Sequence, residues 1–419
     1  MFGAMLDFPP INEQLDEIRR DVAEIIPEDE LARKLERSRR LSEPLRVKQG
    51  FDPTRPDLHI GHAVSLRKLR DFQELGHEVI FVVGDYTARV GDPSGRSDTR
   101  PQLTPEEIAA NAETYAQQVG HILDLSRIRL EYNSQWLAPL DLAKILQLTA
   151  TYTVARMLER DDFAQRYAEN RPISVLEFMY PLMQAYDSVA LAADVELGGT
   201  DQKFNLLVGR TVQERYGQEP QVCVIMPLLR GTDGDAKMSK SYDNYVGITE
   251  AATEQFGKTM SIPDHLLEEW IRLAAPLAPA ELERALAEAK THPYRAKRAL
   301  ARRIAALYHG VAAAEKAEAH FDLLFRAHAT PEDVPELQLR LGDERLRYHE
   351  RGGAWLPGLL VATRLASSNA EAVRLIEQGA IAVDERRIGD RNAALPAAAG
   401  ASVLLRRGKR QFARVHFTD

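Results

Sequence analysis

Apolar residues follow two different spacings in the early part of the chain. Residues 79–83 form an unbroken apolar run, which is typical of a strand buried on both faces of a parallel sheet. Residues 61–75 carry apolar side chains at every third or fourth position, which predicts an amphipathic helix, and residues 45–47 precede it as a short strand. This order of strand, helix and strand predicts a buried parallel sheet of the α/β class.

The same patterns predict the remaining elements. Thr104 is the expected N-cap of a helix, because Pro105 follows at the first helical position and Glu107 completes a capping box. Residues 221–229 are expected to form a further buried strand. The other segments expected to be helical are residues 11–40, 140–168, 174–193, 203–215 and 249–329.

Composition and pattern together divide the chain into four parts. Residues 1–245 hold the sheet, and residues 246–330 are helical throughout. Residues 331–350 contain prolines and many charges, which is typical of a linker. Residues 351–419 form a small α+β module. Its expected elements are helices at 359–365 and 369–378 and strands at 380–383, 402–405 and 412–417.

Composition and charge exclude several classes of protein. The 419-residue chain has 44% hydrophobic and 28% charged residues, as soluble globular proteins do, and has no apolar run long enough to cross a bilayer. Residues 1–20 do not resemble a secretory signal, so we expect a cytoplasmic protein without a membrane partner. A net charge of −8 argues against a uniformly basic nucleic-acid binder, although residues 351–419 carry 11 Lys and Arg against 6 Asp and Glu. Cys223, the only cysteine, lies in an apolar run and is expected to pack.

Residues 48–62 contain the first candidate for chemistry. His59, Gly61 and His62 stand where the predicted strand and its loop pass into the helix. A helix N-terminus stabilises anions, phosphates above all, and glycine lets a ligand lie close to the backbone, as Gly50 would at the strand end. The set predicts a phosphate site, although each histidine alone would as readily be an ordinary surface or core residue.

Later glycine-rich segments carry polar residues in similar positions. Residues 91–96 and 198–202 are glycine-rich turns at strand ends, where doubly wound sheets bind ligands, although the motif at 91–95 taken alone is more often an ordinary turn. Lys237 and Lys240 flank Ser239 in a loop suited to clamping phosphates, although a lysine pair alone is more often a solvated surface feature.

Two helices carry polar side chains on one face. Tyr180, Gln184 and Asp187 are spaced at i, i+4 and i+7, which fits either a solvated stripe or the wall of a polar pocket. Three arginines on one face of a later helix fit either a solvated face or a stripe that follows nucleic-acid phosphates. They are Arg295, Arg298 and Arg302.

Two of these motifs together resemble the signatures of class I aminoacyl-tRNA synthetases: His59-Ile60-Gly61-His62 and Lys237-Met238-Ser239-Lys240-Ser241. With the turns at 50–54, 91–95 and 198–202 and the face of Tyr180, Gln184 and Asp187, essentially the whole chain is similar to bacterial tyrosyl-tRNA synthetases. The resemblance implies a Rossmann-like doubly wound catalytic domain at 1–245 and an all-helical anticodon-binding domain at 246–330. After the linker at 331–350, it implies an RNA-binding domain at 351–419 similar to that of a small-subunit ribosomal protein.

The resemblance also implies a role for each residue of the site, and it implies no protein metal ligand. Tyrosine would be bound by Asp92, Tyr180, Gln184, Gln202 and Asp187, the last accepting a hydrogen bond from the phenol. ATP would be bound by Gly50, Asp52, Gly61, Gly199, Asp201 and Ser239, with Arg96 and Arg100 near the pyrophosphate. The residues expected to stabilise the reacting phosphates are His59, His62, Thr54, Lys237 and Lys240.

Two positions depart from the pattern of these enzymes. Lys48 stands where many relatives have a tyrosine that shares the substrate hydroxyl. A charged lysine cannot accept a hydrogen bond, so Lys48 is expected to donate to the phenol oxygen or to pair with Asp187. Glu196 replaces a more usual glutamine, a change that we expect to matter less.

By the same resemblance, the reaction is activation of L-tyrosine with ATP and Mg²⁺ to tyrosyl-adenylate, followed by transfer to the 3′ end of tRNA(Tyr) by a homodimer. A tryptophanyl-tRNA synthetase is an alternative, but it would not need Asp187 beside Gln184. A nucleotidyltransferase of the same superfamily would leave the helical and C-terminal parts unexplained. A non-catalytic RNA-binding regulator would leave both intact signatures unexplained.

Overall fold

The computed structural model describes residues 8–53, 57–93, 104–325, 334–343, 353–384, 386–408 and 411–418. The chain forms two compact units, Met1–Val311 and Ala312–Asp419. The helices between residues 252 and 309 therefore belong to the same unit as the large sheet. A separate anticodon-binding role for residues 246–330 stays a prediction.

The sheet of the first unit contains the strands β1 (Glu24–Ile26), β2 (Arg46–Phe51), β3 (Glu78–Val83), β4 (Ile128–Tyr132), β5 (Val195–Gly199) and β6 (Val222–Met226). Their order is β1-β6-β5-β2-β3-β4, and all neighbours are parallel except β1 and β6. The direction of winding reverses between β5 and β2, which makes this the predicted doubly wound α/β sheet.

Fourteen α-helices of the first unit are described: α1 (Ile11–Arg19), α2 (Glu28–Leu41), α3 (Ile60–Glu74), α4 (Pro105–Val119), α5 (Ser134–Leu137), α6 (Leu142–Thr149), α7 (Val154–Met157), α8 (Asp161–Ala168), α9 (Val175–Leu191), α10 (Lys203–Arg215), α11 (Ala252–Ser261), α12 (Leu267–Ala274), α13 (Pro279–Thr291) and α14 (Pro293–His309). Short 3₁₀ turns lie at Thr87–Arg89, Leu125–Arg127, Thr200–Gln202, Lys240–Tyr242 and Asp264–Leu266. None of the described helices is long and apolar enough to cross a membrane.

Local sequence signals place α3 and α4 as predicted. The predicted stripe of α3 is buried, with Leu66, Leu69 and Phe72 fully excluded from solvent. The capping box of α4 is formed: the backbone N–H of Glu107 donates to Thr104 Oγ1 at 3.2 Å, and the backbone N–H of Thr104 donates to Glu107 Oε2 at 2.9 Å. α4 therefore begins where its cap predicts, and α3 begins within one residue of the predicted helix.

The prediction that residues 11–40 are helical is correct for α1 and α2 but wrong for β1, which lies between them. Asp21 has a φ of 55° just after α1, and Glu24–Ile26 then pairs antiparallel with β6. Pro27 has no N–H to continue the strand, and α2 begins directly after it. Cys223 lies opposite Ile26 in this pair and is buried, as predicted for a packing residue.

The described helices and strands of the second unit are α15 (Val311–Phe325), which begins at the boundary, α16 (Leu356–Ala362), α17 (Asn369–Glu377), β7 (Glu336–Arg340), β8 (Ala354–Trp355), β9 (Ile381–Val383), β10 (Arg386–Arg387), β11 (Ala394–Leu395), β12 (Ser402–Arg407) and β13 (Gln411–Thr418). The larger sheet has the order β10-β9-β12-β13-β7, and β11 pairs with β8. This arrangement is the predicted α+β module, with its own buried core.

The second unit corrects the predicted linker at residues 331–350. Within that segment β7 pairs in parallel with β13, and Leu339 is fully buried. Leu337 and Leu339 alternate with polar residues, which is the period of a strand with one buried face. Two of the charged residues that indicated a linker, Glu336 and Arg340, are exposed on this strand.

His77, at the start of β3, joins that strand to α1. Its Nδ1 accepts a hydrogen bond from the backbone N–H of Leu45 at 3.3 Å, and its Nε2 lies 3.0 Å from Gln14 Oε1. The imidazole is therefore neutral with its proton on Nε2, and burial lowers the pKa of His77 to about 4.

The free energy of unfolding is expected to fall as the pH drops from about 6.5 to about 4. The unfolded chain takes up a proton on His77 near pH 6.5, whereas the folded chain takes it up only near pH 4. This difference costs up to about 3 kcal/mol below pH 4. Urea unfolding of His77→Gln at neutral and acid pH tests it: the variant should lose less stability on acidification than the wild type. An equal loss in both proteins would contradict the assignment to His77.

Candidate active site

A pocket of about 490 Å³ opens where the winding of the sheet reverses between β2 and β5. Such a switch point lies at the carboxyl ends of the strands, where open α/β sheets bind ligands. Thirteen of the residues predicted from the sequence line it: Gly50, Asp52, His59, Gly61, His62, Asp92, Tyr180, Gly199, Asp201, Gln202, Lys237, Ser239 and Lys240.

The other predicted residues divide into two groups. Lys48, Gln184 and Asp187 do not line the open pocket but are buried behind its wall, with 1%, 9% and 4% of their surface exposed. Thr54, Arg96 and Arg100 lie outside the described residues.

His59 and His62 stack on each other at the start of α3, with ring centroids 3.7 Å apart. His62 Nδ1 accepts a hydrogen bond from the backbone N–H of His59 at 3.3 Å, so its proton is on Nε2. Burial is the main cause that lowers the pKa of His62 to about 4 and that of His59 well below its usual value, and Lys240 and Lys237 add to both effects. Both rings are therefore neutral near pH 7, and Nδ1 of His59 is buried without a hydrogen-bond partner among the described residues.

The lysine motif lies beside these histidines on the pocket lining. Lys237 Nζ lies 2.6 Å from Asp201 Oδ2, and Lys240 Nζ lies 3.3 Å from Asp57 Oδ2. Both ammonium groups can exchange these carboxylates for the phosphates of a ligand, because each lysine lies on the pocket lining.

Backbone hydrogen bonds join the segment after the lysine motif to the histidine motif. The N–H of Ile60 donates to the carbonyl of Val246 at 2.9 Å, and the N–H of Ile248 donates to the carbonyl of Leu58 at 3.1 Å. Glycine is needed at Gly61, since a Cβ there would lie 2.9 Å from His59 Nδ1 and 3.5 Å from Met238 Cβ. The two motifs therefore form one phosphate-facing surface.

Another part of the pocket lining is acidic. Tyr180 donates its hydroxyl to Asp52 Oδ2 at 2.9 Å, and Thr87 donates to Asp52 Oδ1 at 2.8 Å. Burial, with Asp52 as the next cause, raises the pKa of Tyr180 well above its usual value, so the phenol stays protonated. Asp92 lies on the same wall, 3.5 Å from Gln202 Nε2. Two carboxylates and a phenol oxygen in this part suit a bound ammonium group.

Asp187 is held by two residues that sequence reasoning did not find. Trp136 Nε1 donates to Asp187 Oδ1 at 2.7 Å, and Asn133 Nδ2 lies 3.3 Å from Asp187 Oδ2 and 3.0 Å from Thr87 Oγ1. Burial raises the pKa of Asp187 to about 7, against the effect of these donors. Asn133 and Trp136 follow β4, and their position at a strand end was the signal that could have identified them.

Lys48 does not pair with Asp187 as expected. Its Nζ lies 2.8 Å from Glu196 Oε1 and 3.4 Å from the backbone carbonyl of Gln184, so the expected pair is wrong. Glu196, the substitution expected to matter less, also accepts hydrogen bonds from Gln184, Ser188 and Gln221. Lys48 and Glu196, the two residues that depart from the family pattern, therefore pair with each other across the neighbouring strands β2 and β5.

Comparisons with known proteins show the family to which the chain belongs. Residues 40–326 match the family described as tRNA synthetases class I (W and Y), and residues 333–415 match the tyrosine-tRNA ligase SYY-like C-terminal domain. The tyrosine-tRNA ligase of Moorella thermoacetica is 53% identical over 406 residues, 96% of this chain and 95% of the relative. That of Geobacter sulfurreducens is 50% identical over 410 residues, 97% of this chain and 99% of the relative.

Solved structures show the same fold. A C-terminally truncated mitochondrial tyrosyl-tRNA synthetase of Aspergillus nidulans superposes with a TM-score of 0.62 at 25% identity, over 75% of this chain and 94% of that one. Tyrosyl-tRNA synthetase of Archaeoglobus fulgidus, solved with L-tyrosine, gives 0.60 at 26% identity, over 74% of this chain and 100% of that one. The chain therefore belongs to the class I tRNA synthetases of the tryptophan and tyrosine group and, within it, to the tyrosine-tRNA ligases.

Proposed function

We propose that the pocket between β2 and β5 activates L-tyrosine with ATP, and that the tyrosyl group then passes to the 3′ end of tRNA(Tyr). The observation that carries this proposal is the polarity of the pocket. One wall combines a helix start, two neutral histidines and two lysines, and the other combines Asp52, Asp92 and Tyr180. Groups suited to phosphates and groups suited to an ammonium thus line one pocket.

The activation step needs no general base. An oxygen of the tyrosine carboxylate forms a bond to the α-phosphorus of ATP while the bond from that phosphorus to the bridging oxygen breaks, and pyrophosphate leaves with the electron pair. In the second step a hydroxyl of the terminal ribose of tRNA attacks the tyrosyl carbonyl, and AMP leaves. Catalysis of the first step rests on positioning and on stabilising the charge that develops on the phosphate oxygens.

We assign the phosphates to the wall that carries the two motifs. Nε2 of His62 carries a proton and is free of the hydrogen bond that occupies Nδ1, so this ring donates to a phosphate oxygen as a neutral group. Lys237 and Lys240 supply the positive charge, and Thr54, Arg96, Arg100 and Ser239 are proposed to assist them. Mg²⁺ would enter with ATP, held by phosphate oxygens, as is usual for this ion.

We assign the nucleoside and the amino acid to the remaining residues. Gly50, Gly61 and Gly199 let the adenylate approach the backbone, and Asp201 would bind the ribose. Asp52, Asp92, Tyr180 and Gln202 would surround the amino group of tyrosine, and Gln184 lies behind them. Asp187 would accept the phenol hydroxyl, since Trp136 and Asn133 already orient its carboxylate.

Two surfaces are proposed to bind tRNA. Arg295 and Arg302 are exposed on α14, and Arg298 lies half-buried between them. Together they form a positive stripe that can follow a phosphate backbone. The second surface is the basic C-terminal part, residues 351–419, whose family match is to the C-terminal domain of tyrosine-tRNA ligases.

We further propose that the enzyme acts as a homodimer in the cytoplasm, where tRNA and ATP are present. Large apolar side chains between α6 and α9 stand in solvent, as in surfaces that self-associate. They are Leu142, Leu146, Val154, Tyr167, Val175 and Leu176, with exposures of 71%, 60%, 61%, 67%, 78% and 41%.

Placing a charge in this apolar patch is expected to split the dimer. Leu142→Asp combined with Leu146→Asp should halve the mass measured by light scattering, because two carboxylates would be buried without partners. Leu41→Asp is the matched control, since Leu41 is 51% exposed on α2, outside the patch. A double variant that keeps the wild-type mass would show that the interface lies elsewhere.

Exchange of labelled pyrophosphate into ATP tests the proposed function. We expect exchange that depends on tyrosine and not on tryptophan or another amino acid. Exchange that depends on tryptophan would favour the tryptophanyl alternative. Absence of exchange with every amino acid would overturn the assignment of the pocket.

A further inference from the structure

The buried pair of Lys48 and Glu196 has no part in the proposed chemistry, although it lies directly behind the tyrosine end of the pocket. Its two side chains are 1% and 0% exposed. Removing two charges from water is costly, and their attraction offsets this cost only where the remaining polar atoms are also bonded. Glu196 meets this condition through Gln184, Ser188 and Gln221. An arrangement so fully bonded fixes the positions of its neighbours.

Lys48 and Glu196 both contact Gln184. Lys48 Nζ lies 3.4 Å from its backbone carbonyl, and its Nε2 donates to Glu196 Oε1 at 2.9 Å. Gln184 Oε1 accepts from Asn205 Nδ2 at 3.1 Å, and the same nitrogen lies 3.4 Å from Asp92 Oδ1. A continuous chain of polar contacts therefore links the ion pair to Asp92 on the pocket wall.

Both members also act on the carboxyl group of Asp187. Burial is the largest influence on the pKa of Asp187 and raises it, Lys48 lowers it, and Glu196 raises it. Trp136 and Asn133 contact the same carboxyl as uncharged donors. Among the described residues, the charged groups that shift the pKa of Asp187 are the two members of the pair, with opposite effects, and the titratable phenol of Tyr180 also interacts with Asp187.

We propose that Lys48 and Glu196 are a positioning pair for tyrosine: they fix Gln184 and, through Asn205, Asp92, and they balance the charge around Asp187. This inference rests on the proposed function of the pocket. Lys48 acts through these residues and not by touching the substrate hydroxyl, because its ammonium group is already bound by Glu196 and the Gln184 carbonyl.

Single and double neutral variants test the pair in the full-length enzyme. Lys48→Met and Glu196→Gln, made singly, should each raise the KM for tyrosine in pyrophosphate exchange on the order of tenfold. The KM for ATP should stay within about twofold, since the pair does not face the phosphates. In the double variant the loss should be smaller than the product of the two single losses, because no unpaired charge is left buried.

The pH dependence separates positioning from general damage. The ionised form of Asp187 accepts the phenol hydroxyl, so the KM for tyrosine should rise as the pH falls below about 7. Lys48→Met removes a positive neighbour and should move this rise to higher pH. Glu196→Gln removes a negative neighbour and should move it to lower pH. A pair with only a structural role would not produce opposite displacements.

Lys68→Met is the matched control, because Lys68 is 4% exposed and pairs with Asp71 at 2.7 Å on α3, outside the pocket. It should lower the melting temperature without raising the KM for tyrosine. Equal changes in the KM values for tyrosine and ATP, or displacements of the pH profile in one direction, would overturn the positioning role. If a single variant does not fold, the double variant decides: a KM for tyrosine equal to that of the wild type would also overturn the positioning role. A wild-type enzyme without tyrosine-dependent exchange would instead overturn the proposed function.

Discussion

Replacing Lys240 by alanine is expected to lower the kcat of tyrosine-dependent pyrophosphate exchange by about 10²- to 10³-fold, the usual effect of removing one group that stabilises charge in a transition state. Lys240 lines the phosphate wall, and its ammonium group also lies 5.7 Å from the centre of the Tyr245 ring. Because the two histidines beside it are neutral near pH 7, they cannot replace the lost positive charge.

Steady-state kinetics with varied ATP decide how Lys240 contributes. A fall in kcat with little change in the KM for ATP means that the ammonium group binds the transition state more tightly than ATP. Lys290→Ala is the control, since Lys290 is 69% exposed on α13 and should leave the rate unchanged. A Lys240→Ala variant in which only the KM for ATP rises would restrict this lysine to ground-state binding.

Replacing Asp187 by alanine is expected to weaken the choice of tyrosine over phenylalanine by at least about 10²-fold. Enzymes of this same class are the established example of such selection, with a ratio of about 10⁵ reached without editing. Phenylalanine is rejected because it would exclude water from a buried carboxylate without supplying the phenol hydroxyl in its place, and removing the carboxylate removes that penalty. The ratio of kcat/KM for the two amino acids measures the effect.

A second buried aspartate supplies the control for Asp187. Asp194 is 6% exposed and binds Arg37 at 2.6 Å and Arg46 at 3.3 Å at the opposite end of β5, outside the pocket. Asp194→Asn should lower the melting temperature but keep the tyrosine preference. If Asp187→Ala kept the wild-type ratio of kcat/KM for tyrosine and phenylalanine, another group would have to recognise the hydroxyl.

Local signals in the sequence predicted those parts of the fold that depend on neighbouring residues. The capping box at Thr104 and the stripe of α3 each lie within a few turns of chain, and their energies are set there. The signature histidines and lysines could be placed at strand ends for the same reason. Such features can be predicted without knowing which distant residues they contact.

Sequence reasoning missed the features that depend on contacts between residues far apart in the chain. β1 is three residues long and exists because β6 accepts it at the sheet edge. The pair of Lys48 and Glu196 depends on β2 and β5 lying side by side, although helices and two strands separate them in the chain. Residue propensities and short motifs do not indicate which distant strands pair, because the folded sheet determines those pairings.

The position of β13 has a consequence for how the second unit forms during synthesis. β13 lies between β12 and β7, and it follows both of them in the chain. As the chain elongates, β7 therefore has no parallel neighbour and exposes its backbone edge until β13 has been made. The large sheet of the first unit, by contrast, has all its strands by residue 226. Translation that stops before β13 would leave the first unit attached to a second unit in which β7 has no strand to pair with.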